Sequence, residues 1–152
     1  MANTQAMATS FKGELLNAYH NFSATNPART VNTADSFKAA LYLASATINA
    51  STTAYTVTGE VSGAGYTAGG VAITAWNAPT TSGTTGYTTP TASITYTSVT
   101  LTTAFDAVLI YNSSQSNRAV SVHTFGSQTV TSGTFTLTMP TNNSTSALIR
   151  LA

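Results

Sequence analysis

Ala104-Phe105-Asp106-Ala107-Val108-Leu109-Ile110-Tyr111 runs into a polar tip, Asn112-Ser113-Ser114-Gln115-Ser116-Asn117, and returns as Arg118-Ala119-Val120-Ser121-Val122-His123-Thr124-Phe125. This stretch decides the fold class. Val108 to Tyr111 is a contiguous apolar run, too short for an independent helix and rich in β-branched and aromatic types, which suits a strand covered on both faces. After Arg118 the pattern alternates, with Val120 and Val122 on one face and Ser121 and His123 on the other, as in a half-buried strand. Gly126 and Gly133 bracket what reads as a further connection. Beyond it Phe135, Leu137 and Met139 alternate with threonines. Three β segments joined by polar turns predict an antiparallel sheet.

Working outward, Phe37 to Leu43 and Val71 to Trp76 read as strands, and Ala147 to Leu151 as a last one. A short β piece is expected around Tyr87, inside the connection punctuated by Pro79, Gly83, Gly86 and Pro90. Ile94 and Tyr96 share one parity while Val99 and Leu101 share the other, so a bulge near Thr97–Ser98 is expected to restore the inward face. Gly59 to Gly70 reads as a loop with several positive-φ positions. The helical exception is residues 9 to 22, where Phe11, Leu15, Tyr19 and Phe22 form an apolar stripe, with Ala18 beside them. Thr9 or Ser10 can cap its start, while Gly13 weakens it. The predicted fold is mainly β: an antiparallel β-sandwich of jelly-roll type with one short N-terminal helix. The 152 residues are expected to form one domain, with residues 1–22 as an arm and helix.

Composition narrows the function. Charged residues make up 6% of the chain and the formal net charge is +1. Five Lys and Arg spread along the chain are too few for a phosphate-binding face, so no nucleic-acid partner is expected. No apolar run reaches 18 residues and the start has no signal-peptide pattern, so no membrane partner is expected and synthesis in the cytoplasm is. Without cysteine, disulfides and thiolate metal sites are unavailable. About a fifth of the chain is threonine, a β-favouring residue whose hydroxyl can face water or a partner. Such a charge-poor surface is either covered by neighbouring subunits or depends on hydroxyl hydration; the first is the expectation here, hence a homo-oligomer.

Catalytic chemistry has little to work with. The carboxylates are Glu14, Asp35, Glu60 and Asp106; a Glu60–Asp106 glycosidase pair would need the two groups brought to about 5–9.5 Å. The simpler expectation is that Asp106 caps or ends a strand and Glu60 is hydrogen-bonded within its glycine loop. His20 and His123 lack metal-ligand spacing, GxSxG is absent, and Gly63-x-Gly65 has neither a βαβ unit nor a following Gly-Lys-Thr/Ser. No catalytic residue, cofactor or metal is therefore expected, and the protein reads as a non-enzyme. Tyr66, Tyr87, Tyr96, Tyr111 and Trp76 could line a sugar platform, although core packing is the commoner fate of aromatics. Trp76, beside the Asn77-Ala78-Pro79 turn, is the best candidate for an exposed anchor. Phe11, Leu15, Tyr19 and Trp76 are the candidate protein-interface residues.

Four segments in order, Phe11-Lys-Gly-Glu-Leu-Leu, Asp35-Ser-Phe-Lys-Ala-Ala-Leu-Tyr, Glu60-Val-Ser-Gly-Ala-Gly-Tyr-Thr-Ala-Gly-Gly and Ile110-Tyr-Asn-Ser-Ser with Asn117-Arg-Ala-Val, give the chain its resemblance. It resembles the small β-rich virion structural proteins of tailed bacteriophages and prophages. The resemblance implies a head decoration or cement protein that binds the major capsid protein lattice from the capsid exterior and stabilises it. The N-terminal helix, or the arm before it, would then be a lattice or subunit contact. The other function classes are a tail or fibre adhesin binding host receptors or glycans, and a virion enzyme using Glu60 or Asp106. The resemblance carries no catalytic residues.

Overall fold

The computed structural model describes residues 2–16, 19–22 and 33–152. In chain order these form β1 (Ala6–Met7), α1 (Thr9–Leu16), β2 (Phe37–Leu43), β3 (Val71–Ile73), β4 (Thr80–Ser82), β5 (Thr85–Thr88), β6 (Ile94–Asn112), β7 (Arg118–Leu137) and β8 (Ile149–Leu151). The protein is mainly β, in two antiparallel sheets ordered β1-β7-β6-β2-β3 and β4-β5-β8. Tyr87 lies in β5, as its flanking turn residues predict.

The Asn112–Arg118 turn joins the two longest strands, and the stretch beside it is the floor of the core. Ala107 to Tyr111 and Ala119 to Val122 are all buried. Burial of Ser121 differs from the half-buried alternation expected of this strand. Ser121 and His123 line a cleft together with Ile149 and Arg150 of β8, so the second sheet lies close to this face.

Beyond this floor the hairpin is not straight. Gly126 and Gly133 bracket no connection; both lie within β7, which continues to Leu137. Instead the ladder is broken by extra residues. Between the pairs Tyr96↔Phe135 and Val99↔Gly133 one extra residue sits on β6, and Ser98 takes a φ of 53°. This is the bulge that the parity change predicts. Two further extra residues lie on β6 before Phe105. β7 has its own irregularities around Ser132, at φ 50°, and between Thr124 and Gln128. Bulges bend a strand and increase its twist, and here they turn the hairpin back on itself. Phe135 pairs with Tyr96, nine residues before Phe105, which would separate them by roughly 30 Å along a straight strand. The Phe105 and Phe135 rings meet edge to face at 5.0 Å. One hairpin thus supplies both sides of this part of the core, between which Tyr96, Val99, Leu101 and Phe105 are buried.

Two expectations about the N-terminus are corrected. The helix ends at Leu16, not residue 22, and Tyr19 to Phe22 are non-helical. Nor are the first residues an appended arm. Ala6 and Met7 pair with Val122 and Ser121, Ala8 and Phe11 are fully buried, and Phe22 stacks on Phe37 at 4.5 Å. Of the apolar stripe, Phe11 and Phe22 are buried in the core, Leu15 is partly buried and Tyr19 is exposed, and a helix of eight residues depends on such packing. Ala18, placed beside this stripe by the sequence, lies outside the described residues.

The glycine loop is locked against the sheet. Gly59, Gly65, Gly69 and Gly70 have positive φ. At Gly70, with φ +70°, a Cβ would come within 1.8 Å of the Ala39 carbonyl oxygen; at Gly65, with φ +77°, within 2.1 Å of that of Ser98. Only glycine allows both the left-handed backbone and so close an approach.

Candidate functional site

The four carboxylates are the natural starting point, because catalysis by this chain would draw on them. Each is engaged internally. Glu60, 7% exposed, accepts hydrogen bonds from the Tyr55 hydroxyl (2.7 Å), the Tyr66 hydroxyl (2.7 Å) and the Gly69 N–H (2.8 Å). It ties the glycine loop to β2, whose Leu41 N–H donates to the Tyr66 oxygen at 3.0 Å. Three donors converging on one carboxylate offset the cost of burying it. Burial and the neighbouring carboxylate push the Tyr66 phenol well above its ordinary value, so it is a firm donor. Asp106 accepts from Asn3 Nδ2 at 2.6 Å; the same amide group donates to the Leu43 carbonyl. Asp106 lies within β6 and neither caps nor ends it, contrary to expectation. Its partner is Asn3, whereas those of Glu60 belong to the glycine loop and Tyr55, so among the described residues the two carboxylates share no donor.

The other two belong to one network. Glu14 and His20, both buried, meet at 2.8 Å through Oε2 and Nε2, and Arg118 reaches Glu14 Oε1 at 2.6 Å. Asn112 Nδ2 lies 3.1 Å from His20 Nδ1 and donates to Asp35 Oδ2 at 2.8 Å, while Asn112 Oδ1 accepts from the Ser114 N–H. That backbone donor orients the amide, so both Nδ2 hydrogens are directed to His20 and Asp35. His20 Nδ1 is then an acceptor, and the ring proton sits on Nε2, donated to Glu14. Asp35 also accepts from the Asn21 N–H at 2.9 Å. The network fastens α1, the Tyr19–Phe22 segment and the entry to β2 onto the β6–β7 turn.

Ser121 Oγ and His123 Nε2 are 2.9 Å apart, the spacing of a nucleophile and its base. Burial lowers the His123 pKa to about 4, keeping the imidazole neutral. Ser121 is only 2% exposed, however, and a substrate would have to reach its hydroxyl. The pair reads as a buried serine satisfied by its strand neighbour. Among the described residues, no three His, Asp or Glu side chains gather where a metal could bind, and no helix is long and apolar enough to cross a membrane.

The candidate interface residues separate. Phe11 and Leu15 line one open groove of about 450 Å³, with Phe22, Tyr87, Ile149 and Leu151 among its other walls. Phe11 is fully buried and Leu15 partly so. Tyr19 is 41% exposed, with the Arg118 guanidinium 4.4 Å from its ring centre. Trp76 is not an exposed anchor. It is partly buried, edge-on to Phe22 (4.9 Å) and Phe37 (5.4 Å), and its buried Nε1 has no hydrogen-bond partner among the described residues. Of the aromatics considered for a sugar platform, Tyr96 and Tyr111 are buried; their hydroxyls donate to the Ala39 and Gly69 carbonyls.

The outer stretch of β7 gave no sequence signal of function. Thr129, Thr131, Ser132, Thr134 and Thr136 are exposed along it, and from Ala119 to Ile149 the chain has no Lys, Arg, Asp or Glu. This is an uncharged, hydroxyl-covered surface on a strand anchored by the core. It can offer hydrogen bonds and shape to a partner. Compared with protein-family models, curated proteins and solved structures, the chain matches none of them.

Proposed function

We propose that this protein is a structural component of a tailed-phage virion, a decoration or cement protein that binds the major capsid protein lattice on the capsid exterior and stabilises it. The observation that carries this reading is how its few charges are used. All four carboxylates are engaged inside the fold: Asp106 holds the chain start, Glu14 holds α1 to Arg118 of β7, Asp35 holds the entry to β2 to Asn112, and Glu60 ties the glycine loop together. The outer strand presents hydroxyls. A rigid block with such a surface suits recognition by shape and hydrogen bonding at a repeated seam. Many weak copies on one lattice reinforce it through multivalent attachment. The resemblance of the four segments supplies the phage context.

The test is the copy number in purified virions, measured by quantitative mass spectrometry against the major capsid protein. Hundreds of copies in simple ratio to capsid subunits are expected. A handful per particle would favour a tail or fibre adhesin, and absence from the particle would overturn both. Deleting residues 1–22 would be a poor probe of attachment, because it removes β1 and the core side chains of Ala8, Phe11 and Phe22.

A further inference from the structure

β7 pairs with β6 along its length but with β1 only at Ser121 and Val122. Among the described residues its other side is therefore open from Thr124 onward. An open edge presents unpaired N–H and C=O groups, and natural sheets protect it with charge, proline, bulges or a covering segment. Bulges interrupt the edge between Thr124 and Gly133. Beyond them the ladder is regular, with Phe135, Thr136 and Leu137 opposite Tyr96, Thr95 and Ile94. No charged residue or proline protects Gly133–Leu137. Thr134 and Thr136 are exposed on one face, while Phe135 and Leu137 are partly buried on the other.

We propose that Gly133–Leu137 pairs antiparallel with the same segment of a second copy, joining two sheets across a twofold axis near Phe135. Two identical neutral edges meet without like-charge repulsion, and a net charge of +1 leaves little long-range opposition between copies. Pairing about Phe135 places each Thr134 opposite a Thr136, a favourable cross-strand combination on the wet face. It places Phe135 opposite Phe135 and Leu137 opposite Gly133 on the apolar face. Each main-chain bond occurs twice by symmetry, giving on the order of four to six in all. This inference does not depend on the capsid reading, because it concerns the edge alone.

The experiment is sedimentation equilibrium of the full chain over a wide concentration range. Thr136→Lys and the double variant Thr134→Lys/Thr136→Lys are compared with Ser127→Lys, a control at the bulge. Urea unfolding of each variant checks that the fold is kept. A concentration-dependent dimer is expected for the wild type and the control, weakened about tenfold or more by the edge lysines with the unfolding midpoint little changed. A wild type that stays monomeric throughout would overturn the proposal, as would a dimer indifferent to the edge lysines. If the wild type is monomeric and the lysines instead abolish capsid binding, the edge takes a strand from another protein and self-pairing falls.

Discussion

Phe125 and Phe135 lie on the same strand, ten residues apart, yet their ring centres are 5.4 Å from each other. A straight strand would hold them roughly 33 Å apart. The strand is folded at its bulges, and these rings, with Phe105, are what the fold closes upon.

Phe135→Ala is therefore expected to cost about 3 kcal/mol, as for other large-to-small changes at packed aromatic sites. Phe105 and Tyr96 would lose a neighbour at the same time. Urea unfolding checks the loss. A cost below about 1 kcal/mol would mean that the two halves of the hairpin are held together by something else.

Glu60 is expected to matter to stability as much as a core residue does. Glu60→Ala would strand the Tyr55 and Tyr66 hydroxyls and the Gly69 N–H, at a cost of about 3 kcal/mol. Glu60→Gln keeps the shape and one acceptor and should cost less than half of that. Equal losses for the two variants would show that packing, not hydrogen bonding, is what this side chain provides.

Alkali should unfold the protein through its tyrosines. Burial raises the Tyr42 phenol from 10 to about 12, and Tyr66 and Tyr96 are pushed up in the same direction. The folded state holds these protons more tightly than the unfolded chain. The resulting stability is complete below pH 10 and is lost as pH rises toward 12. Tyrosinate absorbance followed together with circular dichroism should show these phenols ionising with unfolding rather than before it.

His123 sets the opposite limit. Its folded pKa of about 4 lies below the ordinary 6.5, so the unfolded chain binds the proton more readily. Stability from this group is full above pH 6.5 and falls as pH drops toward 4. The urea midpoint should decrease between pH 7 and pH 4.5, and by less in His123→Gln. An identical pH dependence in the variant would assign the effect to other groups.

The strands beside the Asn112–Arg118 turn were legible because the apolar run and the alternation after it have few other solutions. The Ser98 bulge was legible too, since Ile94 and Tyr96 disagree in parity with Val99 and Leu101. The bulges around Thr102–Ala104 and Ser127 left no such mark. Threonine, serine and glycine occupy both faces there, and a slip changes no apolar pattern. That is why Gly126 and Gly133 read as a connection. The stripe of Phe11, Leu15, Tyr19 and Phe22 read as one helix because helical spacing and tertiary burial leave the same pattern, and only the sheet decided between them. Glu60 was expected to be bound in its loop. Its tyrosine donors could not be seen, because nothing in the spacing of Tyr55 and Tyr66 says that they converge. The Glu14–His20 contact, six residues apart across the helix end, is hidden for the same reason.

Gly70 gives the fold a signature that evolution should respect. With the Ala39 carbonyl 1.8 Å from where a Cβ would stand, any other residue would push the end of the glycine loop off β2 and pull the neighbouring Gly69 N–H from Glu60. Gly65 is held in the same way against Ser98. The exposed threonines of β7 meet no such steric limit within the fold, and only a partner on that surface would restrict them. Descendants of this sequence that keep the architecture should thus retain these two glycines long after the surface around them has become unrecognisable.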